Sequence, residues 1–421
     1  MPRVPTPNSL EGMRLLHTSD WHIGRTFHGH STDEHLATVL AAIAAAVAEH
    51  QVDVVIVAGD IFDSSTPKSD AFTMLNDAVL AIRAAGAHVI LTSGNHDGPA
   101  RLGHMAAFAA AGGVHLLTDL SRLATPVILP DAHGAVAIYG VPYVHPSFLR
   151  SAFPEFGGTT QEEALAFAMA RIREDAAARS AQATSAQATS SQVTSAGAPR
   201  LRTVVAAHCF TTNITPTAED SGAIEERDIT RGGLDLVPAS TFDGPDYVAL
   251  GHIHSRAELS PSVRYSGAPL RFSFGEEDKP RGFWIADLDA TGLAATTWHD
   301  LPVPREVSRL IGTLEWLLAD GAYDIARDHW VDVVLTDDSM PLDAMRRIQD
   351  KFPYAVTLAH RPTKVAVHGK VTYFERVQGK SDTEIVGDFL AYVRNGEGPT
   401  DAEQALISDA MQSLEASEAS R

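Results

Sequence analysis

Apolar runs alternate with helical patterns over residues 14–300, and this alternation predicts the fold class. The runs are short and rich in Val, Ile and Leu, as in MRLLHTS, VDVVIVAGD, AHVILTSGNHD, AVAIYGVPY, RTVVAAH and YVALGH. Nearly continuous apolar strands that alternate with helices indicate an α/β sheet buried on both faces. The helix after the first run would turn one apolar face to the core, made of Leu36, Val39, Leu40, Ile43 and Val47.

One segment departs from this alternation. Residues 176–200, AAARSAQATSAQATSSQVTSAGAPR, contain an imperfect AQATS repeat and no core-building residue apart from Val193. Such composition cannot bury enough apolar surface to offset the entropy of ordering. We expect a flexible insertion within the domain at 13–300.

A second unit is predicted to begin at the proline-containing segment LPVP, residues 301–304. WVDVVLTD, YAVTLAH and KVAVHG are typical of strands, and a helix is expected from about Pro341 to Phe352. Together they predict a small α+β module at 301–380. Within 356–380 there are five basic residues and one acidic residue, which indicates either a solvated sheet face or a phosphate-contacting surface. The five are Arg361, Lys364, Lys370, Arg376 and Lys380, and the acid is Glu375.

The tail at 381–416 carries two helix start signals. SDTE at 381–384 and TDAE at 400–403 both match the capping box, in which a hydroxyl and a carboxylate satisfy free backbone N–H groups reciprocally. Asn395-Gly396 would end the first helix. Two short amphipathic helices either pack on the parent domain or dock on a partner, and the sequence leaves both open.

Composition excludes several classes of protein. With 421 residues and 44% hydrophobic residues, the chain can form two or three domains and is not disordered. No apolar run approaches the ~20 residues that span a bilayer, and the opening MPRVPTPNSLEG does not resemble a secretory signal. The lone Cys209 excludes a disulfide framework and suits the reducing cytoplasm. The net charge of −20 counts against autonomous DNA binding, because phosphates are bound by Lys and Arg.

The candidate chemistry lies in turns that follow the apolar runs. Asp20 and His22 can share one metal, Asp60 after VVIVAG is the natural bridging carboxylate, and Asn95 offers an amide oxygen. His208, His252 and His254 complete a set of seven possible ligands. An isolated Asp-X-His or Gly-Asp is usually a turn or a cap, so only the ordered combination is informative. Nitrogen and oxygen donors without thiolate suit manganese, or iron or zinc. Two such ions can clamp a phosphoryl displacement.

The order DxH, GD, GNHD, H and GHxH resembles the calcineurin-like metallophosphoesterase superfamily. The longer stretches HTSDWHIGR, GDIFDSSTP and YSGAPLRFSFGE resemble its SbcD-type nuclease subunits. The resemblance implies a four-layer α/β sandwich over 13–300, a C-terminal capping domain at 301–380 and a helical tail at 381–416 that binds an SbcC-type SMC-like ATPase. It further implies a homodimer within a heterotetramer and Mn²⁺-dependent cleavage of DNA ends and hairpins.

The resemblance also implies roles for individual residues. Asp20, His22, Asp60 and His254 would bind one metal, and Asp60, Asn95, His208 and His252 the other. His96 would protonate the leaving oxygen or stabilise the transition state, and Asp97 would orient it. Arg271 would contact a phosphate or form a structural salt bridge. Two other hypotheses remain: a small-molecule or protein phosphoesterase, and a non-enzymatic DNA-end scaffold.

Overall fold

The computed structural model describes residues 12–188, 200–212, 236–363, 377–394 and 396–419. The chain forms two compact units, Met1–Pro304 and Arg305–Arg421. Across the described ranges, no helix is both long and apolar enough to cross a membrane. The strand expected at KVAVHG lies outside the described residues, as do Lys364, Lys370, Glu375 and Arg376.

The first unit alternates strands and helices. Its strands are β1 (Arg14–Thr18), β2 (Thr26–Phe27), β3 (His30–Ser31), β4 (Val54–Ala58), β5 (His88–Thr92), β6 (Val114–Leu117), β7 (Val127–Asp131), β8 (Gly134–Val141), β9 (Arg202–His208), β10 (Thr211–Thr212), β11 (Val237–Pro238), β12 (Tyr247–Gly251), β13 (Ala257–Glu258), β14 (Val263–Tyr265), β15 (Gly282–Asp289) and β16 (Gly292–Asp300). Its α-helices are α1 (Asp33–Glu49), α2 (Ser69–Ala84), α3 (Pro99–Leu102), α4 (Ala106–Ala111), α5 (Pro146–Ala152) and α6 (Gln161–Ala188).

Two six-stranded sheets organise this unit. One has the order β16-β15-β1-β4-β5-β6 and the other β13-β14-β12-β9-β8-β7. Strands β1, β4, β5 and β6 run parallel, with β6 at the edge of its sheet, and so do β14, β12, β9 and β8. Antiparallel strands occupy the outer positions β15, β16, β13 and β7. The carboxyl ends of the parallel strands in each sheet therefore lie along one edge of that sheet.

Strand β4 explains the layering. All five of its residues are buried, because both faces of its sheet are covered. Val54 and Ile56 pack into the core between the two sheets, whereas Val55 and Val57 pack into the core under helices α1 and α2. Helices α5 and α6 cover the far side of the second sheet. The expected four-layer α/β sandwich is confirmed, as is the buried face of α1 that includes Leu36 and Val47.

The expectation of a flexible insertion at 176–200 was wrong for its first half. Helix α6 continues to Ala188, and only 189–199 lie outside the described residues. The first turns of α6 are anchored in the core by Leu165, Met169 and Ile172. Once a helix is nucleated, adding alanine-rich turns costs little, so α6 extends without an apolar face of its own.

The second unit is built on three parallel strands, β17 (Val307–Gly312), β18 (Trp330–Leu335) and β19 (Ala355–His360), in that order. Helices α7 (Leu314–Ala319) and α8 (Ala344–Lys351) alternate with them, since parallel neighbours need crossover connections. Its core includes Leu317, Val331, Val333, Ile348 and Phe352. Helices and strands thus alternate along this unit. In the α+β module that the sequence led us to expect, they would lie in separate parts of the chain.

Helices α9 (Asp382–Val393) and α10 (Asp401–Ala419) form the tail. Both predicted capping boxes are present: Ser381 and Glu384 exchange hydrogen bonds, and so do Thr400 and Glu403. Several large apolar side chains of the tail are exposed within this chain; they are Phe389, Tyr392, Val393, Leu406 and Leu414.

Candidate metal centre

The predicted ligands gather where parallel strands end. Asp20 lies two residues beyond β1, Asp60 two beyond β4 and Asn95 three beyond β5. His208 is the last residue of β9, and His252 directly follows β12. Strands from both sheets therefore contribute side chains to one site, as expected for a ligand site at strand carboxyl ends.

The turns that carry these residues have unusual backbone conformations. Asp20, His22, Asp60 and His252 have φ values of 54°, 45°, 49° and 108°, in the left-handed region that side chains usually avoid. Hydrogen bonds between the turns hold this geometry. The Asp20 N–H donates to the Gly59 carbonyl at 3.1 Å, and the His22 N–H to the Asp60 carbonyl at 2.9 Å. Strain maintained in this way is typical of functional sites.

Asp20, His22 and His254 form the first group. One ligand atom from each lies within 4.8 Å of the others. The Nε2 atoms of His22 and His254 are 3.1 Å apart. Two ring nitrogens bound to one ion at ~2.1 Å would be about 3 Å apart, so this spacing fits a shared metal. The Asp20 carboxylate also accepts the His252 N–H at 3.0 Å, which links this group to the next turn.

Asp60 lies between this group and a second one. Its Oδ2 is 3.6 Å from His22 Nε2 and 3.4 Å from His208 Nε2, the position of a bridging carboxylate. The amide Oδ1 of Asn95 is 3.0 Å from both His208 Nε2 and His252 Nδ1. Asp20, Asp60 and His208 also form a group that could hold a metal. All seven predicted ligands therefore come together.

Gly94 leaves the space that the Asp60 carboxylate occupies. A Cβ at this position would lie 2.0 Å from Asp60 Oδ1, the atom that accepts the His96 N–H at 2.9 Å. No ordinary carbon–oxygen contact is that short, so a side chain here must displace the carboxylate or the loop.

Gly94→Ala is expected to lower the Mn²⁺ affinity and the thermal stability together, because Asp60 cannot keep its position. Isothermal titration calorimetry and thermal unfolding would measure both quantities. Gly157→Ala is the matched control, since a Cβ there would meet nothing within 4 Å. Unchanged Mn²⁺ binding by Gly94→Ala would contradict this role of the loop.

His96 is held by a residue that the sequence analysis missed. Its Nδ1 is 3.0 Å from the Asp63 carbonyl and 3.8 Å from the Asp63 carboxylate, and Asp63 Oδ1 also lies 3.3 Å from His22 Nδ1. The Asp97 carboxylate accepts the N–H groups of Ile61, Phe62 and Gly94, and so ties two loops together. That Asp97 also orients His96 stays a prediction. The only signal for Asp63 was its place three residues after Asp60 in GDIFD.

Two further residues lie near the first group. Glu276 is buried, with Oε1 3.4 Å from His254 Nδ1; it ends the stretch YSGAPLRFSFGE, but no role was predicted for it from the sequence. Arg271 is half-buried. Burial lowers its pKa, while Glu276, Glu277 and Asp278 act in the opposite direction. The role of Arg271 as a phosphate contact stays a prediction.

The protonation states mostly suit metal binding, which needs neutral imidazoles and an ionised carboxylate. Burial lowers the pKa of His22, and burial together with His208 lowers the pKa of His252 to about 4. Burial would raise the pKa of Asp60, but His208 and His22 outweigh it and hold the pKa below its usual range. Although burial opposes it, Asp60 raises the pKa of His208 to about 9, so these two residues form an ion pair without a metal.

Comparisons with known proteins show what this chain is similar to. Residues 13–140 match the calcineurin-like phosphoesterase family. Over 361 residues the chain is 29% identical to the SbcD subunit of the nuclease SbcCD of Escherichia coli strain K12, covering 83% of this chain and 85% of the relative. The same protein of Escherichia coli O157:H7 gives the same figures. Among solved structures, TT1561 of Thermus thermophilus aligns at 12% identity with a TM-score of 0.36, over 68% of this chain and 99% of that one, a likeness too low to inform the fold.

Proposed function

We propose that this chain, an SbcD-like metallophosphoesterase, is the nuclease subunit of a DNA-processing complex. It would hydrolyse DNA phosphodiester bonds at double-strand ends and hairpins, as a 3′–5′ exonuclease and single-strand endonuclease in repair, recombination and replication. The observation that carries the proposal is the position of Asp60 Oδ2, 3.6 Å from His22 Nε2 and 3.4 Å from His208 Nε2. A carboxylate between two imidazole groups is what a pair of bridged ions requires.

The residues fit two divalent ions of the manganese class. Asp20, His22, Asp60 and His254 would hold one, and Asp60, Asn95, His208 and His252 the other, a donor set of nitrogen and oxygen atoms only. Such ions supply Lewis-acid polarisation of the phosphate and a nucleophile at neutral pH. The left-handed turns and their hydrogen bonds fix the ligands before an ion arrives, which reduces the cost of ordering them.

His96 would act on the leaving group. Its Nδ1 is bound to the Asp63 carbonyl at 3.0 Å, so Nε2 is the ring atom that can carry a proton to the departing oxygen. The ring lies edge-on to His22 with a centroid separation of 4.8 Å, close enough to the metal ligands to reach a bound phosphate. His96, His22 and Asp63 could themselves hold an ion, but the bond between Nδ1 and the Asp63 carbonyl favours the proton-transfer role.

A substrate panel with Mn²⁺ separates this proposal from its two alternatives. The panel contains end-labelled duplex DNA, hairpin DNA, a cyclic nucleotide and a phosphopeptide, each with and without the ATPase partner. We expect cleavage of both DNA substrates. Hydrolysis of only the cyclic nucleotide or the phosphopeptide would support a small-molecule or protein phosphoesterase. DNA binding without any hydrolysis would support a scaffold.

The charge of the chain supports a role for partners. A protein with a net charge of −20 repels a polyanion at long range, so an associated ATPase that grips DNA would supply the missing attraction. The exposed apolar residues of α9 and α10 suit a helix-in-groove contact with such a protein. Leu80, Met105 and Phe108 are also exposed and offer apolar area for the proposed homodimer.

Truncation after Lys380 is expected to abolish co-purification with the SbcC-type ATPase, because it removes both tail helices with their exposed apolar side chains. Mn²⁺-dependent hydrolysis of bis-p-nitrophenyl phosphate should be unchanged, since the metal centre lies in the other unit. Phe389→Ser with Leu406→Ser, two exposed positions in the full-length chain, is the milder variant. Normal co-purification of the truncated chain would contradict docking through the tail.

A further inference from the structure

A buried ion pair lies behind His254. The side chains of Glu276 and Arg281 are 2% and 1% exposed, and Glu276 Oε2 is 2.9 Å from Arg281 Nη2. Burying two charges is costly unless their remaining hydrogen-bonding atoms find partners. The hydrogen-bond partners of Glu276 and Arg281 therefore indicate the role of this ion pair.

Glu276 uses both of its carboxylate oxygens. Oε1 is 3.4 Å from His254 Nδ1 and accepts the Ser273 hydroxyl at 3.1 Å, while Oε2 accepts the Phe272 N–H at 3.1 Å. With Arg281 also bound to Oε2, the carboxylate cannot turn away from the imidazole without breaking several bonds.

Arg281 holds the same histidine by its backbone. Its Nη1 donates to the His254 carbonyl at 2.6 Å and to the Ala268 carbonyl at 3.2 Å. One guanidinium therefore fixes both the main chain of His254 and the carboxylate behind its ring. Neither contact involves a proposed metal ligand other than His254.

The contact with Glu276 concerns which nitrogen of His254 is free to bind a metal. If Nδ1–H donates to Glu276, the lone pair lies on Nε2, which faces His22 Nε2 at 3.1 Å. A carboxylate also lies near His22, with Asp63 Oδ1 3.3 Å from its Nδ1, although that contact lacks hydrogen-bond geometry. A carboxylate behind a metal-binding imidazole fixes its tautomer and increases its basicity.

We propose that Glu276 is a positioning residue that fixes the ring orientation and Nδ1–H tautomer of His254, and that Arg281 holds Glu276 in place. The inference rests on the proposed role of His254 as a metal ligand. On this proposal, the segment SFGE at residues 273–276 raises the metal affinity of one of the two metal sites.

The test compares metal binding by full-length variants. In Glu276→Gln the amide oxygen is expected to stay with the Phe272 N–H and Arg281, which places the NH₂ group beside His254 Nδ1. We therefore expect one of the two Mn²⁺ ions to bind about 10–100-fold more weakly while the other is unaffected. Titration calorimetry and Mn²⁺ electron paramagnetic resonance would resolve the two sites. The imidazole ¹⁵N shifts of the metal-free protein should report Nδ1–H for His254 in the wild type and a tautomer mixture in the variant.

Two further variants separate positioning from stability. Glu276→Gln with Arg281→Met removes the buried charges together, so it should fold better than Glu276→Gln alone and still bind one ion weakly. Asp131→Asn disrupts a buried ion pair with Arg202 at the β7–β8 hairpin and serves as the matched control. It should lose thermal stability and keep both Mn²⁺ affinities and the His254 tautomer.

Either of two results would overturn the inference. One is wild-type Mn²⁺ affinity at both sites in a folded variant that lacks Glu276. The other is an Nε2–H tautomer of His254 in the metal-free wild type, which needs no variant to observe. In both cases two-ion binding by the wild type would leave the proposed function intact. A wild type that binds no Mn²⁺ would refute both proposals.

Discussion

Asp60→Asn is expected to abolish phosphodiester hydrolysis, with a loss on the order of 10³-fold or more, since a two-ion clamp contributes several kcal/mol to transition-state stabilisation. The physical reason is the position of Oδ2 between His22 and His208. An amide offers one neutral oxygen where a bridge needs a shared negative charge. The rate of cleavage of end-labelled duplex DNA and the number of Mn²⁺ ions per chain would both be measured.

Asp53→Asn is the control for this substitution. Asp53 is a half-buried carboxylate that accepts the Arg14 N–H at 2.8 Å, and burial already raises its pKa. An asparagine oxygen can accept the same bond, so activity should be retained. Full activity of Asp60→Asn would show that hydrolysis does not depend on a bridging carboxylate.

His96→Ala is expected to keep both Mn²⁺ ions and lose about 10²–10⁴-fold of the DNA cleavage rate, the usual contribution of a general acid. The alkoxide that leaves from DNA needs a proton, whereas p-nitrophenolate is a good leaving group without one. The variant should therefore hydrolyse bis-p-nitrophenyl phosphate at close to the wild-type rate. Single-turnover rates on the two substrates at saturating Mn²⁺ would measure the difference.

Asp63→Asn provides a graded comparison. It retains the backbone carbonyl that His96 Nδ1 contacts and neutralises the carboxylate 3.8 Å away, so a smaller loss than for His96→Ala is expected. Unreduced cleavage of DNA by His96→Ala would exclude His96 from the mechanism. An equal loss on both substrates would assign it to charge stabilisation rather than to proton transfer.

The sequence was sufficient to predict the seven candidate ligands because their placement follows from topology. Parallel strands end along one edge of a sheet, so residues that directly follow apolar runs converge however far apart they are in the chain. Asp20 and His252 illustrate this: 232 positions separate them, and a hydrogen bond joins them. Cover on both faces of a sheet was predictable from the apolar pattern, since a strand such as β4 has five buried residues, whereas the stacking of two sheets in four layers came from the family resemblance.

The supporting residues were harder to predict because their roles depend on side-chain geometry. Asp97 and Asp63 both lie close to His96 in the chain or in space, and only the structure distinguishes the carboxylate that ties loops together from the one beside the imidazole. Glu276 lies 22 residues after His254, in a segment without a periodic pattern. The helix at 176–188 was missed because composition alone does not reveal that α6 is already anchored by Met169.

The negative net charge of the chain affects its proposed binding to DNA. A net charge of −20 and a centre rich in carboxylates suit cation binding, but they disfavour the approach of a phosphate backbone until ions neutralise the site. The basic cluster predicted at 356–380 lies mostly outside the described residues, and within them Lys380 is paired with Asp388. Contact with DNA therefore remains the part of the proposal that depends most on a partner.

The proposed nuclease activity requires that one chain binds two ions and needs both to cut DNA. A titration of the metal-free chain with Mn²⁺ in the presence of the ATPase would test this by following bound Mn²⁺ and cleavage of end-labelled duplex DNA in the same samples. We expect two ions to bind per chain and cleavage to appear as the second site fills. Cleavage that persists in excess chelator, or that reaches its maximum with one ion per chain, would contradict a two-ion mechanism.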